Sequence, residues 1–205
     1  DRCTSESFGG SLYSIIDQGS LTFEGDCIFT ECKSQYSGGA LYLSVLNEAT
    51  VTIDEQCIFD QCTTESSGGA IQAFISSGGI LTIDGQCRFT ECTTQILGGG
   101  ISVQTDGENS KLIIGDGVIF DTCSSDNSGG GLYAYILAGA QLIFEGDCQF
   151  KDCSVSGFGG GMCAESQGEG SSIRSLGELL FDNCSNTYAG GGAFFDIIDN
   201  ASIEI

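Results

Sequence analysis

The stretch Thr50-Val51-Thr52-Ile53-Asp54-Glu55-Gln56-Cys57-Ile58-Phe59-Asp60-Gln61-Cys62, taken up again by Gly68-Gly69-Ala70-Ile71-Gln72-Ala73-Phe74-Ile75, decides the fold. It holds three short apolar runs, at 50–53, 57–59 and 70–75, separated by polar or glycine corners. Each run alternates with period two, and none keeps the i, i+3, i+4 spacing of an amphipathic helix over about 11 residues. The unit therefore reads as three strands.

Outward from that stretch the same unit recurs. Phe-x-x-Cys stands at Phe29/Cys32, Phe59/Cys62, Phe89/Cys92, Phe120/Cys123, Phe150/Cys153 and Phe181/Cys184, with Phe spacings of 30, 30, 31, 30 and 31 residues. A period this constant marks an array of one structural unit, not a globular core. Three strands and three corners suit one triangular turn of a solenoid, each strand pairing in parallel with its equivalent about 4.8 Å away in the next turn. Parallel crossovers are overwhelmingly right-handed. The expected fold is an all-β, right-handed, single-stranded parallel β-helix of about seven coils of about 30 residues, with three strands per coil. Proline, which cannot donate to a sheet ladder, is absent.

Stacking turns sequence columns into rows along the axis. Leu12, Leu41, Ile71, Ile101, Leu132, Met162 and Ala193 should point inward, as should Leu21, Val51, Leu81, Leu112 and Leu142, with Phe23, Ile53, Ile83, Ile114 and Phe144 two residues on. The Phe29 row forms an aromatic spine. Tyr42, Gln72, Ser102, Tyr133, Cys163 and Phe194 should point out. A glycine pair precedes the third strand of every repeat, where positive φ permits a tight corner. A phosphate-cradling role does not fit, since no helix follows and no Lys stands beside it.

These motifs resemble the Pmp repeats of chlamydial polymorphic outer-membrane proteins, which carry Gly-Gly-Ala-Ile/Leu/Val together with Phe-x-x-Asn. Gly38-Gly39-Ala40-Leu41 and Gly68-Gly69-Ala70-Ile71 match the first motif in full, and Gly98-Gly99-Gly100-Ile101 and the later repeats match it loosely. In the second, Cys replaces Asn at 32, 62, 92, 123, 153 and 184. The resemblance implies an extracellular, β-helical, adhesin-like segment at the cell surface, with no catalytic residues.

The six basic residues, Arg2, Lys33, Arg88, Lys111, Lys151 and Arg174, face 28 acidic ones, for a net charge of −22. Nucleic acid and anionic membranes are disfavoured as partners, because both need clustered cations. No apolar stretch reaches about 18 residues, so direct membrane insertion is not expected. Residues 1–205 read as a single β-helix segment of a longer repeat protein, starting and ending in mid-coil.

Twelve regularly placed cysteines suit an oxidising, secreted setting. Cys27, Cys57, Cys87 and Cys148 form a second column, replaced by Val118 and Leu179 in two repeats. Linking the columns within or across turns strands four thiols either way. Buried thiols stacked as a ladder, disulfides between some neighbours, and metal all remain open.

Acidic corners are the first candidate site. One column runs through Glu24, Asp26, Asp54, Glu55, Asp84, Asp116, Glu145, Asp147 and Glu178; another holds Glu31, Asp60, Glu91, Asp121, Asp152 and Asp182. Stacked carboxylates repel, so Ca²⁺ at Asp54, Asp84, Asp116 and Asp147 would relieve strain; a solvated face that keeps stacks soluble is the plainer reading. No other cofactor is implied. Outward aromatics, Tyr13, Tyr42, Phe74, Tyr133, Tyr135 and Phe194, offer a strip for sugar rings or a neighbouring filament. Ile28, Ile58, Ile119 and Leu180 suggest a lateral contact, and Asn183 and Asn200 fit the N-glycosylation pattern.

No His is present, and acidic pairs recur in every repeat where catalysis needs one unique constellation. The expectation is a non-enzymatic extracellular structural or adhesin-like rod, self-associating head to tail or contacting neighbouring surface proteins. The alternative is a carbohydrate- or receptor-binding module, with a polysaccharide-degrading enzyme third.

Overall fold

A computed structural model describes residues 2–205, and among them every regular element is a strand. Seven coils stack as a parallel β-solenoid, and four sheets run along its length. The long sheet is built from six-residue strands such as Leu41–Leu46, Ile71–Ser76 and Ile101–Asp106. Next comes a four-residue sheet, typified by Thr50–Ile53 and Ile80–Ile83. The Phe sheet follows, with Ile58–Asp60 and Val118–Asp121. A narrow sheet of two-residue strands, such as Thr63–Thr64, closes the coil. All pairings are parallel and in register, for example Phe59 with Phe89 and Leu41 with Ile71.

Four strands per coil replace the expected three. The fourth was hidden because Thr63–Thr64 and its equivalents carry no apolar run. What creates it is a corner. Glu31, Gln61, Glu91, Thr122, Asp152 and Asn183 all adopt left-handed backbone, φ 50–56°. That conformation turns the chain between Phe and Cys, so that Phe59 and Cys62, three apart, are both fully buried. Phe-x-x-Cys is thus an inward residue, an outward one, a corner and a second inward one.

Core rows fall where alternation put them. Leu41, Ile71, Ile101, Leu132 and Met162 are fully buried, whereas Leu12 and Ala193 in the end coils are half-buried. The spine residues Phe29, Phe59, Phe89, Phe120, Phe150 and Phe181 stack with centroids 4.8–5.1 Å apart and planes within 3–11°. Near-parallel rings at that distance are offset, the favoured arrangement. Each buried Phe contributes roughly 1.5–3 kcal/mol from area alone.

The two glycines of each pair do different work. Gly68 has φ +70°, and a Cβ there would lie 2.2 Å from the Ile71 carbonyl oxygen, so the tight reversal admits no side chain. Gly69 lies between coils, where a Cβ would sit 2.0 Å from the Gly99 carbonyl oxygen.

Candidate functional site

The glycine reversal folds the residue before it onto the outer face of the long sheet. Ser37, Ser67, Leu97, Ser128, Phe158 and Ala189 bridge one another in a row there. This flap explains a departure from expectation: Gln72, Ser102 and Cys163 lie on the outward face yet are only 4, 4 and 1% exposed. Cys163 is pushed up to about 12, chiefly by that burial and next by Glu165.

The six outward aromatics do not form one strip. Tyr13 and Tyr42 stack at 5.0 Å, Tyr42 meets Phe74 at 5.8 Å, and Phe8 packs at 4.8 Å on Tyr42 and 5.5 Å from Tyr36. At the other end Phe194 lies 4.6 Å from Phe158, which also meets Tyr188. Between these groups the Tyr133 hydroxyl donates to Glu165 Oε1 and the Tyr135 hydroxyl to Gln167 Oε1, each at 3.1 Å. Burial and the Glu165 carboxylate push the Tyr133 phenol well up, so it stays a donor. Phe8, Tyr36, Phe158 and Tyr188 were missed because the flap's packing was not foreseen. Phe8 and Phe158 stand directly before Gly9 and Gly159, the signal that could have found them.

Phe74 on one side and Tyr133 and Tyr135 on the other border a groove of about 270 Å³, with Gln72, Ser102 and Gln104 among its lining. No charged side chain lines it. A larger trough of about 640 Å³ along the narrow sheet carries Glu6, Glu65 and Asp126 among Thr and Ser hydroxyls.

The acidic columns need correction. Register pairs Thr30, Asp60, Thr90, Asp121, Lys151 and Asp182, leaving Glu31, Glu91 and Asp152 in the adjacent corner row; the single acid column is two rows, each interrupted. In the other corner, Asp84 Oδ1 accepts the Asp116 N–H at 2.9 Å, Asp116 Oδ1 the Asp147 N–H at 3.0 Å, and Asp147 Oδ1 the Glu178 N–H at 2.8 Å. Asp54 Oδ1 accepts its neighbour Glu55's N–H. These carboxylates thread coil to coil by capping backbone donors, and among the described residues no group of three or more acidic, His or Cys side chains is placed to hold a metal. The residues proposed for Ca²⁺ therefore serve as backbone acceptors.

Each thiol of the Phe-x-x-Cys column from Cys62 onward donates to the carbonyl of the preceding coil's Phe: Cys62 to Phe29, Cys92 to Phe59 and Cys123 to Phe89, all at 3.4 Å, then Cys153 to Phe120 at 3.5 Å and Cys184 to Phe150 at 3.3 Å. Cys62, Cys92, Cys123, Cys153 and Cys184 thus stack as a ladder, whereas Cys163 lies apart in the long sheet. Burial raises Cys92 and Cys148.

Asn183 and Asn200 are both exposed, the first with its amide on Asp152. Ile28 and Leu180 stand 58 and 54% exposed on the Phe sheet, in one row with Ile58 and Ile119. No helix of the structure is long and apolar enough to cross a membrane. Comparison with known proteins gives no match: no family model, no curated protein and no solved structure matches the chain, so the likeness to the chlamydial repeats rests on motifs alone.

Proposed function

We propose that the chain is a non-enzymatic, extracellular structural or adhesin-like rod, wound right-handed as parallel crossovers favour. The observation that supports it is the unbroken register. The ladders recur from coil to coil in register, with the Phe spine running through six of the seven coils, and such repetition favours a structural role over catalysis, which needs one unique constellation. Stiffness comes from continuous parallel ladders, each coil adding about 4.8 Å to the axis. In this reading copies associate head to tail, the unpaired edge of one parallel ladder templating the next.

Electron microscopy over a range of concentrations tests this. Rods that lengthen with concentration are expected, and particles of one fixed length at all concentrations would reject head-to-tail stacking. Expression through a secretory pathway tests the location, with glycan expected on exposed Asn183 or Asn200. A second reading, a carbohydrate- or receptor-binding module, draws on the aromatic clusters of the long sheet. Both can hold together, the rod displaying the face.

A further inference from the structure

We propose that the groove between Phe74 and the Tyr133–Tyr135 pair binds a neutral saccharide; this deepens the adhesive side of the reading above and is independent of stacking. Three observations converge on that ligand class. First, the lining carries no charged side chain in a chain of net charge −22. The surrounding field repels anionic glycans, and the groove lines no carboxylate against a cation, which leaves an uncharged ligand.

Second, the lining pairs aromatic rings with groups that both donate and accept. Tyr135 and Phe74 offer flat apolar surface to the C–H face of a pyranose ring. The half-exposed Gln104 carboxamide and the Ser66 and Ser67 hydroxyls present donor and acceptor, matching sugar hydroxyls, which need both, over a buried floor of Gln72 and Ser102.

Third, the site is preorganised. Glu165 and Gln167 hold the two tyrosine hydroxyls at 3.1 Å, and the parallel ladder fixes Gln72 opposite Ser102 and Gln104 opposite Tyr135. Little side-chain freedom is lost when a ligand enters such a groove, which favours affinity.

The test is a screen of the intact protein against neutral oligosaccharides of hexose and N-acetylhexosamine beside sulfated and sialylated ones, followed by calorimetry with the best neutral binder. Saturable binding is expected for a neutral oligosaccharide, weakened about tenfold or more by Tyr135→Ala and by Gln104→Ala, and unchanged by Tyr36→Ala outside the groove. Gln104→Ala removes a half-exposed side chain and keeps the test valid should Tyr135→Ala disturb folding. Absence of neutral binding, preference for charged glycans, or indifference to both groove variants would overturn the proposal. Rod formation by microscopy in the same samples tells an empty groove from a failed rod.

Discussion

The inner coils, lying between a first coil whose corner at 18–19 has two residues and the last, are of two kinds that differ in length at this one corner. Between the long and four-residue strands, three residues make the turn at 47–49, 77–79 and 138–140, whereas four are used at 107–110 and 168–171. In the shorter turn the last residue donates back three positions, as Ala49 N does to the Leu46 oxygen and Ala140 N to the Leu137 oxygen. In the longer one Ser110 N bonds to the Gly107 oxygen and Ser171 N to the Gly168 oxygen. The turn is the same, displaced by one glycine with φ +87° or +97°.

The insertion has a hydrogen-bonding consequence. Where two short corners stack, Glu48 N donates to the Ser77 carbonyl of the next coil. Where a long corner follows a short one, the donor finds a side chain: Gly78 N bonds to Ser110 Oγ at 3.0 Å, and Gly139 N to Ser171 Oγ at 2.9 Å. Buried serine supplies the acceptor that the extra residue moved away. Both long coils also carry Val118 or Leu179 in place of the second cysteine column, and Thr105 or Ser166 where shorter coils have Val45, Ile75 and Ile136. Nothing in the structure explains the last exchange.

If coil type matters only at that corner, the spine should be indifferent to it. Phe89→Ala in a short coil and Phe120→Ala in a long one should each cost about 3–5 kcal/mol, since both rings are fully buried between stacked neighbours. Denaturant midpoints check this. A long-coil loss far below its partner would break the comparison by showing a slack core around the insertion.

Moving a long-coil residue into a short coil comes next. Cys148 is buried and its thiol is raised by that burial, whereas the long coils place Val118 and Leu179 in register with it. A folded-state value above the unfolded one means stability that is complete below about pH 8.5, where the unfolded thiol is still protonated, and lost as pH rises beyond it. For one such thiol the loss at pH 10 is about 2 kcal/mol. Cys148→Val should be near neutral at pH 7 and should recover that amount at pH 10, read from thermal unfolding at both values. An equal alkaline loss in the variant would show that Cys148 is not the group titrating.

Ser110→Ala probes the corner itself. Removing the hydroxyl leaves Gly78 N without its acceptor, at a cost of about 1–2 kcal/mol, with faster amide exchange at Gly78. The same change has no meaning in a short coil, where Ala49 and Ala140 already occupy the position. An unmoved exchange rate would mean that another acceptor serves this amide.

Much of this architecture was legible from the residues. Period-two runs such as Leu41 to Leu46 and the invariant Phe row place the coil, its register and its core, because parallel stacking puts each sequence column on one line. The narrow sheet was not legible, since Thr63–Thr64 forms a strand only through the left-handed corner at Gln61, and φ leaves no mark in composition. The flap over the aromatic face was hidden for the same reason: it depends on how sharply Gly68 reverses the chain. Spacings of 31 announced two extra residues without locating them. The bonds from Asp84 and Asp116 to the next coil were not legible either, since their partners are backbone amides, which leave no mark in residue type.

The smallest change runs in the opposite direction. Thr105 Oγ1 and Ser166 Oγ are buried with no hydrogen-bond partner among the described residues. Register aligns Thr105 with Ile75 and Ile136, and Ser166 with Ile136 and Ile197, so each hydroxyl sits in an otherwise apolar row. Thr105→Val keeps the branched shape and removes the hydroxyl, replacing an unmet polar group by a methyl with apolar neighbours on both sides. The variant should be more stable by about 1 kcal/mol, seen as a higher denaturant midpoint with an unchanged slope. If Thr105→Val destabilises instead, the hydroxyl has a role in the long coil, and the corner insertion and the core residue five positions before Ser110 are coupled parts of one design.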